Sequence, residues 1–398
     1  MNILDSISKK FFAYLYGFGA IDVWLGRGAF SCGENNGCVH VLTDAGIAEL
    51  AGLFEDLRYP GVDLADAALD EAGDCPRTWY FRCVDSIKDN NPSFSLLDFY
   101  RDCKTSAFYY PRGIHPLLKK IKRGTLPGNP SVEQIDPLQI IKDRFDSEID
   151  HTLLLMDAAL ILAKYFDADA DLAPGTIENI AVHLGLHGNS MVPSKEHQRV
   201  FLSELITSPN PWLGLELLKA SGFIGKFWKE LAIIENADHS KDFHPEGNAW
   251  VHTMETFRHR KVSGGGRSDL RLSLGLLLHD SGKPIAPSTS YHRYDGHAEL
   301  GEMQARRFLE RLGFGASITK DICFLVRNHM LPAALPRLPL FRTEQIMSSP
   351  LFPLLMELYR CDESSSFKGL DCYYESSAVY QQFLRNKRNP YRSLRFQN

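Results

Sequence analysis

Leu276-Leu277-Leu278-His279-Asp280-Ser281-Gly282-Lys283-Pro284 closes a leucine-rich run, 272–278, on an imidazole followed at once by a carboxylate. A helix apolar on all sides belongs in the middle of a core. A carboxylate there is costly unless it is paired or metal-bound. Two other helices repeat the pattern. Ile318, Ile322, Leu325 and Val326 form a stripe that His329 extends by one turn, and Leu351, Leu354, Leu355 and Leu358 form one that Asp362 extends. Three helices thus aim metal-ligand side chains inward. His252, in Trp250-Val251-His252-Thr253, and His297, in Gly296-His297-Ala298, join the set with less periodic flanks; His297 has only Leu300, Gly301 and Phe308 on its side. Divalent ions take imidazole nitrogen and carboxylate oxygen, and a bridging aspartate can hold two ions together. The competing reading is a buried hydrogen-bonded network.

Outward from this centre, 244–362 reads as helices separated by Gly- and Pro-containing loops at 263–266, 282–296 and 331–339. Upstream, 149–166, 176–186, 195–206, 211–221 and 224–233 space their apolar residues as helices do. Residues 1–125 differ: short apolar runs at 39–42, 79–84, 94–100 and 107–110 lie between Gly, Asn and Asp turns, which predicts strands with a few helices. Thr43-Asp44 ahead of Ile47, Leu50, Ala51 and Phe54 predicts a capped amphipathic helix. Asp63-Leu64-Ala65-Asp66 and Asp70-Glu71 read as exposed helix or loop. The apolar stretch 11–21 reads as the first packed element rather than a signal peptide, because Asp5 precedes it and no small-residue cleavage site follows. The expected class is α+β: a small mixed-sheet head over 1–125, an all-helical neck over 126–240 opening on the Pro- and Gly-rich 126–130, an all-helical domain over 241–370 and a basic tail over 371–398.

The bulk numbers agree with several domains. The chain has 398 residues, 44% hydrophobic and 23% charged, which is globular composition and too long for one core. A net charge of -5 argues against a broadly basic nucleic-acid surface. Two local clusters, Lys119, Lys120, Lys122, Arg123 and Arg385, Lys387, Arg388, Arg392, Arg395, read equally as solvated faces or as phosphate contacts. Eight cysteines without a C-x-x-C pair fit reduced thiols in the cytoplasm. No run of 18 apolar residues exists, so no spanning helix and no membrane partner are expected.

The order His…His-Asp…His…His…Asp resembles the HD phosphohydrolase superfamily. More closely, the chain is similar to bacterial CCA-adding tRNA nucleotidyltransferases and their poly(A) polymerase relatives with a C-terminal HD domain. His244-Pro245-Glu246-Gly247-Asn248-Ala249-Trp250-Val251-His252-Thr253 matches that family's entry to the first metal ligand, and 276–284 its central signature. The likeness runs from about residue 23 to 367 and is strongest over 244–330. It implies one or two divalent ions (Mn, Ni, Co, Fe, Mg or Zn) and hydrolysis of a phosphate ester. Asp280 would bridge the ions, His252, His279 and Asp362 would complete one site, and His297 and His329 would serve the second. Lys283 would hold a phosphate oxygen, or else is a surface lysine. The implied substrates are 2′,3′-cyclic or monoester phosphates of a nucleotide or an RNA 3′ end, with tRNA as a partner. Oligomeric state is left open.

In the same family a Gly-Gly-x-x-Arg-Asp turn cradles the triphosphate and an Asp-x-Asp holds magnesium. The best matches here are Gly26-Arg27-Gly28-Ala29-Phe30-Ser31 and Cys38-Val39-His40, without the ligand carboxylates. A thiol and an imidazole serve magnesium poorly. The family's Arg-Arg-Asp becomes Asn90-Asn91-Pro92, and its base-reading Glu-Asp-x-x-Arg becomes Ile135-Asp136-Pro137-Leu138-Gln139, where only Asp136 survives. Gly26, Gly28 and Asp136 are thus remnants of nucleotide binding, and the head is expected to be a nucleotidyltransferase-like domain without transfer chemistry. Two rivals stand beside this: a non-catalytic RNA-binding protein, and a divergent transferase with unusual ligands.

Overall fold

The computed structural model describes residues 3–26, 38–60, 65–71, 77–84, 99–110, 114–115, 117–119, 121, 151–166, 172, 174–186, 191–238, 247–261, 268–287, 294–366 and 369–387. The chain divides into two compact units, Met1–Ile224 with Lys261–Ser268, and Gly225–Arg260 with Asp269–Asn398. The class is α+β, with a mixed sheet near the start and helices after it. No helix among the described residues is long and apolar enough to cross a membrane.

Among the described residues, the first unit holds a six-stranded sheet of β1 (Ala13–Tyr16), β2 (Cys38–Thr43), β3 (Ala67–Glu71), β4 (Arg77–Cys83), β5 (Tyr100–Asp102) and β6 (Phe108–Tyr109) in the order β3-β4-β2-β1-β5-β6. β2 and β4 run parallel and the other pairs antiparallel. Alternation sets the faces: Trp79 and Phe81 of β4 are buried while Tyr80 and Arg82 are half-buried. Helices α1 (Ile3–Ser8), α2 (Phe18–Leu25) and α3 (Ile47–Leu53) accompany the sheet. Helices α4 (His151–Tyr165), α5 (Thr176–Leu184), α6 (Lys195–Thr207) and α7 (Pro211–Ala220) pack on one another, α4 being buried along almost its whole length.

Several details depart from the sequence reading. The apolar stretch 11–21 is not one element: β1 ends at Tyr16, Gly17 turns with φ +61, and α2 begins at Phe18. Helix α3 is not capped by Thr43 or Asp44. Thr43 Oγ1 accepts from the Ala45 N–H and Asp44 Oδ1 from the Phe12 N–H, so both side chains serve the strand end, and Gly46 takes the cap position. Asp70-Glu71 is neither exposed helix nor loop but the end of β3, where Asp70 meets Arg58 and Thr78. The helix expected over 224–233 breaks at Trp228, a fully buried residue with non-helical φ -124° and ψ 61°, between the short helices Phe223–Phe227 and Lys229–Ala232.

The second unit is helical. Helix α9 (Leu270–Leu278) sits in its centre and packs against α8 (Ala249–Arg258), α11 (Ala316–Asn328) and α12 (Phe352–Ser364), while α10 (His297–Arg311) lies along α11. The stretches 282–296 and 331–339 are not simple loops: they contain the helical turns Lys283–Ile285, Leu331–Ala334 and Leu335–Arg337. Residues 371–387, assigned above to a basic tail, form the 17-residue helix α13. Its Ser376 and Phe383 are buried, and Ser376 Oγ donates to the Pro332 carbonyl at 2.8 Å. The buried Phe383 ring and this hydrogen bond anchor the helix despite the basic residues beside them.

Candidate metal centre

Asp269 caps α9, its carboxylate accepting from the Arg271 and Leu272 N–H groups, and every side chain from Leu272 to Leu278 is buried. That helix delivers His279 and Asp280, 1% and 2% exposed, into the middle of the unit. Ser281 and Gly282 then turn the chain. A Cβ on Gly282 would run into the His297 carbonyl and the backbone of Gly301, so only glycine lets this turn rest on the start of α10. The contact sets His297 beside Asp280. His329 follows the last residue of α11, Asp362 lies on the inner side of α12, and His252 stands four residues into α8, which Asn248 caps.

All six side chains converge, in two groups. In the first, His252 Nε2 is 2.9 Å and His279 Nε2 is 3.9 Å from Asp362 Oδ1. In the second, His297 Nε2 and His329 Nε2 are 3.1 Å apart. Asp280 stands between: Oδ2 is 3.3 Å from His279 and 4.0 Å from His252, while Oδ1 is 3.8 Å from His297 and 3.9 Å from His329.

The protons on the rings follow from their partners. His279, His297 and His329 each direct Nδ1 at a main-chain carbonyl three residues earlier: Leu276 at 2.8 Å, Tyr294 at 2.7 Å and Val326 at 2.7 Å. A carbonyl only accepts, so Nδ1 carries a hydrogen, and wherever such a ring is neutral its Nε2 is bare. Burial pushes the His329 ring down to about 4 and lowers that of His297, so both are neutral at pH 7. Two lone pairs therefore face each other across 3.1 Å. Among the described residues, the buried His279 Nε2 has no hydrogen-bond partner. Burial would raise the Asp280 carboxyl, yet His279, when its ring is charged, and the Lys283 ammonium hold it well below the usual carboxylate range. Burial likewise works against Asp362, and its hydrogen bond with His252 holds it low. Anionic oxygens and inward lone pairs without hydrogens are a donor set for a cation, and one carboxylate touching both groups fits two ions.

Lys283 is no freely solvated surface lysine: its Nζ is 2.7 Å from Asp280 Oδ2. The remaining predicted positions fare differently. Gly26 ends α2 with φ +78, at a helix C-terminus that exposes carbonyls. A phosphate turn leads from a strand into a helix N-terminus. Here that geometry belongs to Gly17, between β1 and α2, so the motif's match shifts to Gly17-Phe18-Gly19-Ala20-Ile21-Asp22. Its one carboxylate, Asp22, is buried, accepting from Tyr165 Oη at 2.8 Å with Lys164 Nζ at 3.5 Å. The strand–glycine–helix order was the signal that could have found it. His40 lies on β2, its ring stacked on Tyr80 and 3.9 Å from the Glu204 carboxylate. Gly28, Asp136, Asn90 to Pro92, His244 to Glu246, Lys120, Lys122, Arg123, Arg388, Arg392 and Arg395 lie outside the described residues.

No family model matches the chain. The CC-adding tRNA nucleotidyltransferase of Thermus thermophilus is 32% identical over 143 residues, 35% of this chain and 32% of that protein. The multifunctional CCA protein of Halorhodospira halophila is 30% identical over 143 residues, 36% of this chain and 33% of that protein. The matches thus span about a third of the length of these relatives, and the chain is a distant homologue of such enzymes. A solved CCA-adding enzyme with ATP aligns over 96% of this chain and 80% of that one at 13% identity, with a TM-score of 0.34, too low for a shared fold to be read from it.

Proposed function

We propose that this chain is a metal-dependent phosphohydrolase of the HD kind, acting on phosphate esters of nucleotides or RNA 3′ ends, and that its first unit no longer transfers nucleotides. The observation that carries the reading is Asp280: its two oxygens address two separate groups of nitrogen and carboxylate donors. His252, His279 and Asp362 would hold one ion and His297 and His329 the other. The donor set suits Mn, Fe, Co, Ni or Zn better than Mg, which favours all-oxygen ligands. When bound, such ions acidify water and neutralise charge on a phosphate.

The chain's own groups supply the rest. Asp280 and Asp362 stay anionic at neutral pH, so no proton has to leave them before cations bind. His297 and Asp362 are 12% and 21% exposed, whereas His252, His279, Asp280 and His329 are at 1–2%, so the open side of the centre lies between the first two. Lys283, 15% exposed, reaches the same centre and places an ammonium where a phosphate oxygen can meet it. The distant likeness to tRNA-processing enzymes favours an RNA 3′ end, with tRNA as the partner. Loss of transfer chemistry is supported by His40, an imidazole packed on Tyr80 where the family places a magnesium carboxylate.

Metal analysis of the purified protein with hydrolysis of bis-p-nitrophenyl phosphate and 2′,3′-cyclic AMP tests this. Bound metal, with hydrolysis that His279→Ala and Asp280→Ala abolish, is expected. Absence of metal, or hydrolysis unchanged in those variants, overturns the reading. Incorporation of CTP or ATP onto tRNA would restore the transferase instead.

A further inference from the structure

Three of the four histidines in the centre are oriented by a carbonyl three residues earlier in their own chain segment, a geometry available at a helix end. His279 and His329 follow the last residue of a helix and His297 is the first residue of one. His252 has no such position. It lies inside α8, where the Asn248 carbonyl accepts the His252 N–H and the Ala249 carbonyl accepts the Thr253 hydroxyl. Its Nδ1 instead faces Ser365 Oγ at 3.2 Å, from one turn beyond Asp362.

The serine hydroxyl has a single hydrogen. At 2.6 Å from the Asp362 carbonyl oxygen, that hydrogen goes to the carbonyl. The hydroxyl oxygen therefore accepts at its other contact, and His252 Nδ1 donates. The buried serine thus does two things at once. It holds the hydrogen on His252 Nδ1 while Nε2 donates to Asp362 in the metal-free protein, so that an ion would displace the Nε2 hydrogen alone, and it ties the first ligand in the chain to the last, 110 residues apart.

We infer that Ser365 is the positioning residue for His252, doing through a side chain what main-chain carbonyls do for the other three rings. This rests on the metal-centre reading, and it assigns Ser365 no contact with substrate. Outer partners of ligand histidines typically matter 10–100-fold in metal affinity. Serine at this place is legible only afterwards: it is three residues past Asp362 and so shares its helix face.

The test uses the full chain as wild type, Ser365→Ala and Ser365→Thr. Mn²⁺ affinity is titrated, and ring ¹⁵N shifts of His252 are recorded without metal. Expected are a Ser365→Ala protein that folds, as circular dichroism shows, but binds Mn²⁺ about 10–100-fold more weakly, and a Ser365→Thr protein that regains most of the loss. The ¹⁵N spectrum should show a protonated Nδ1 held in wild type and Ser365→Thr and released in Ser365→Ala. Unchanged Mn²⁺ affinity in folded Ser365→Ala, a loss that threonine leaves uncorrected, or an unprotonated Nδ1 in wild type overturns the inference. Should wild type bind no Mn²⁺, the metal reading falls, and the ¹⁵N spectra alone decide the serine's role.

Discussion

His297 Nε2 and His329 Nε2 stand 3.1 Å apart with both Nδ1 hydrogens committed to main-chain carbonyls. Without a cation the pair is a repulsion. His329→Gln should therefore leave the metal-free protein at least as stable as wild type. A ligand at a hundred times its dissociation constant stabilises by about 2.7 kcal/mol, and the variant should lose much of that gain. Melting curves with and without Mn²⁺ would read it; a metal-free variant markedly less stable than wild type refutes the idea.

The turn at Gly282 carries a structural prediction. Gly282→Ala must push α10 away, because the new Cβ meets backbone of His297 and Gly301 rather than a flexible side chain. A loss of about 2–4 kcal/mol is expected, together with loss of the ion that His297 would help to hold under the proposed function. Urea melts and metal stoichiometry check the two separately.

A metal at the proposed site would compete with Lys283 for Asp280 Oδ2, from which the ammonium is 2.7 Å away. Lys283→Met should bind Mn²⁺ more tightly yet hydrolyse phosphodiesters roughly 10–100-fold more slowly. Affinity and kcat moving in opposite directions would separate this lysine from a ligand-supporting residue. Equal falls in both would contradict the role.

The first unit should be acid-labile through His115. Burial pushes its ring down to about 4, Nδ1 accepts from the Leu117 N–H at 3.2 Å, and the ring bonds the Leu154 backbone. Protonation destroys that acceptor. Because the folded value lies below the unfolded 6.5, the folded state binds fewer protons between the two. Its stabilising contribution is whole above pH 6.5 and is lost as pH falls toward 4, up to about 3 kcal/mol. Urea melts from pH 7 to 4.5 should show the slope, flattened in His115→Gln; identical slopes would exclude His115 as the cause.

Much of the centre was legible because helical periodicity is local. The leucine run placed His279-Asp280 centrally, and the stripes on α11 and α12 aimed His329 and Asp362 inward. His252 and His297 could not be placed that way. One depends on a capped helix with mixed flanks and the other on a close backbone approach at Gly282, and neither leaves a periodic trace. The Gly26 match failed for a related reason. Short glycine motifs look alike in one dimension, and only the strand before Gly17 and the helix ending at Gly26 tell a phosphate turn from a helix stop.

By itself the sequence determined the chemical inventory: four imidazoles and two carboxylates, a central apolar helix to carry two of them, and a head lacking paired acids at the expected strand. The tertiary structure decided which donors converge into each group, which ring nitrogens face one another, and that Ser365 lies against His252. Those properties depend on distances of a few ångströms between groups as far apart in the chain as His252 and Asp362, and residue order does not encode such distances until the helices have packed.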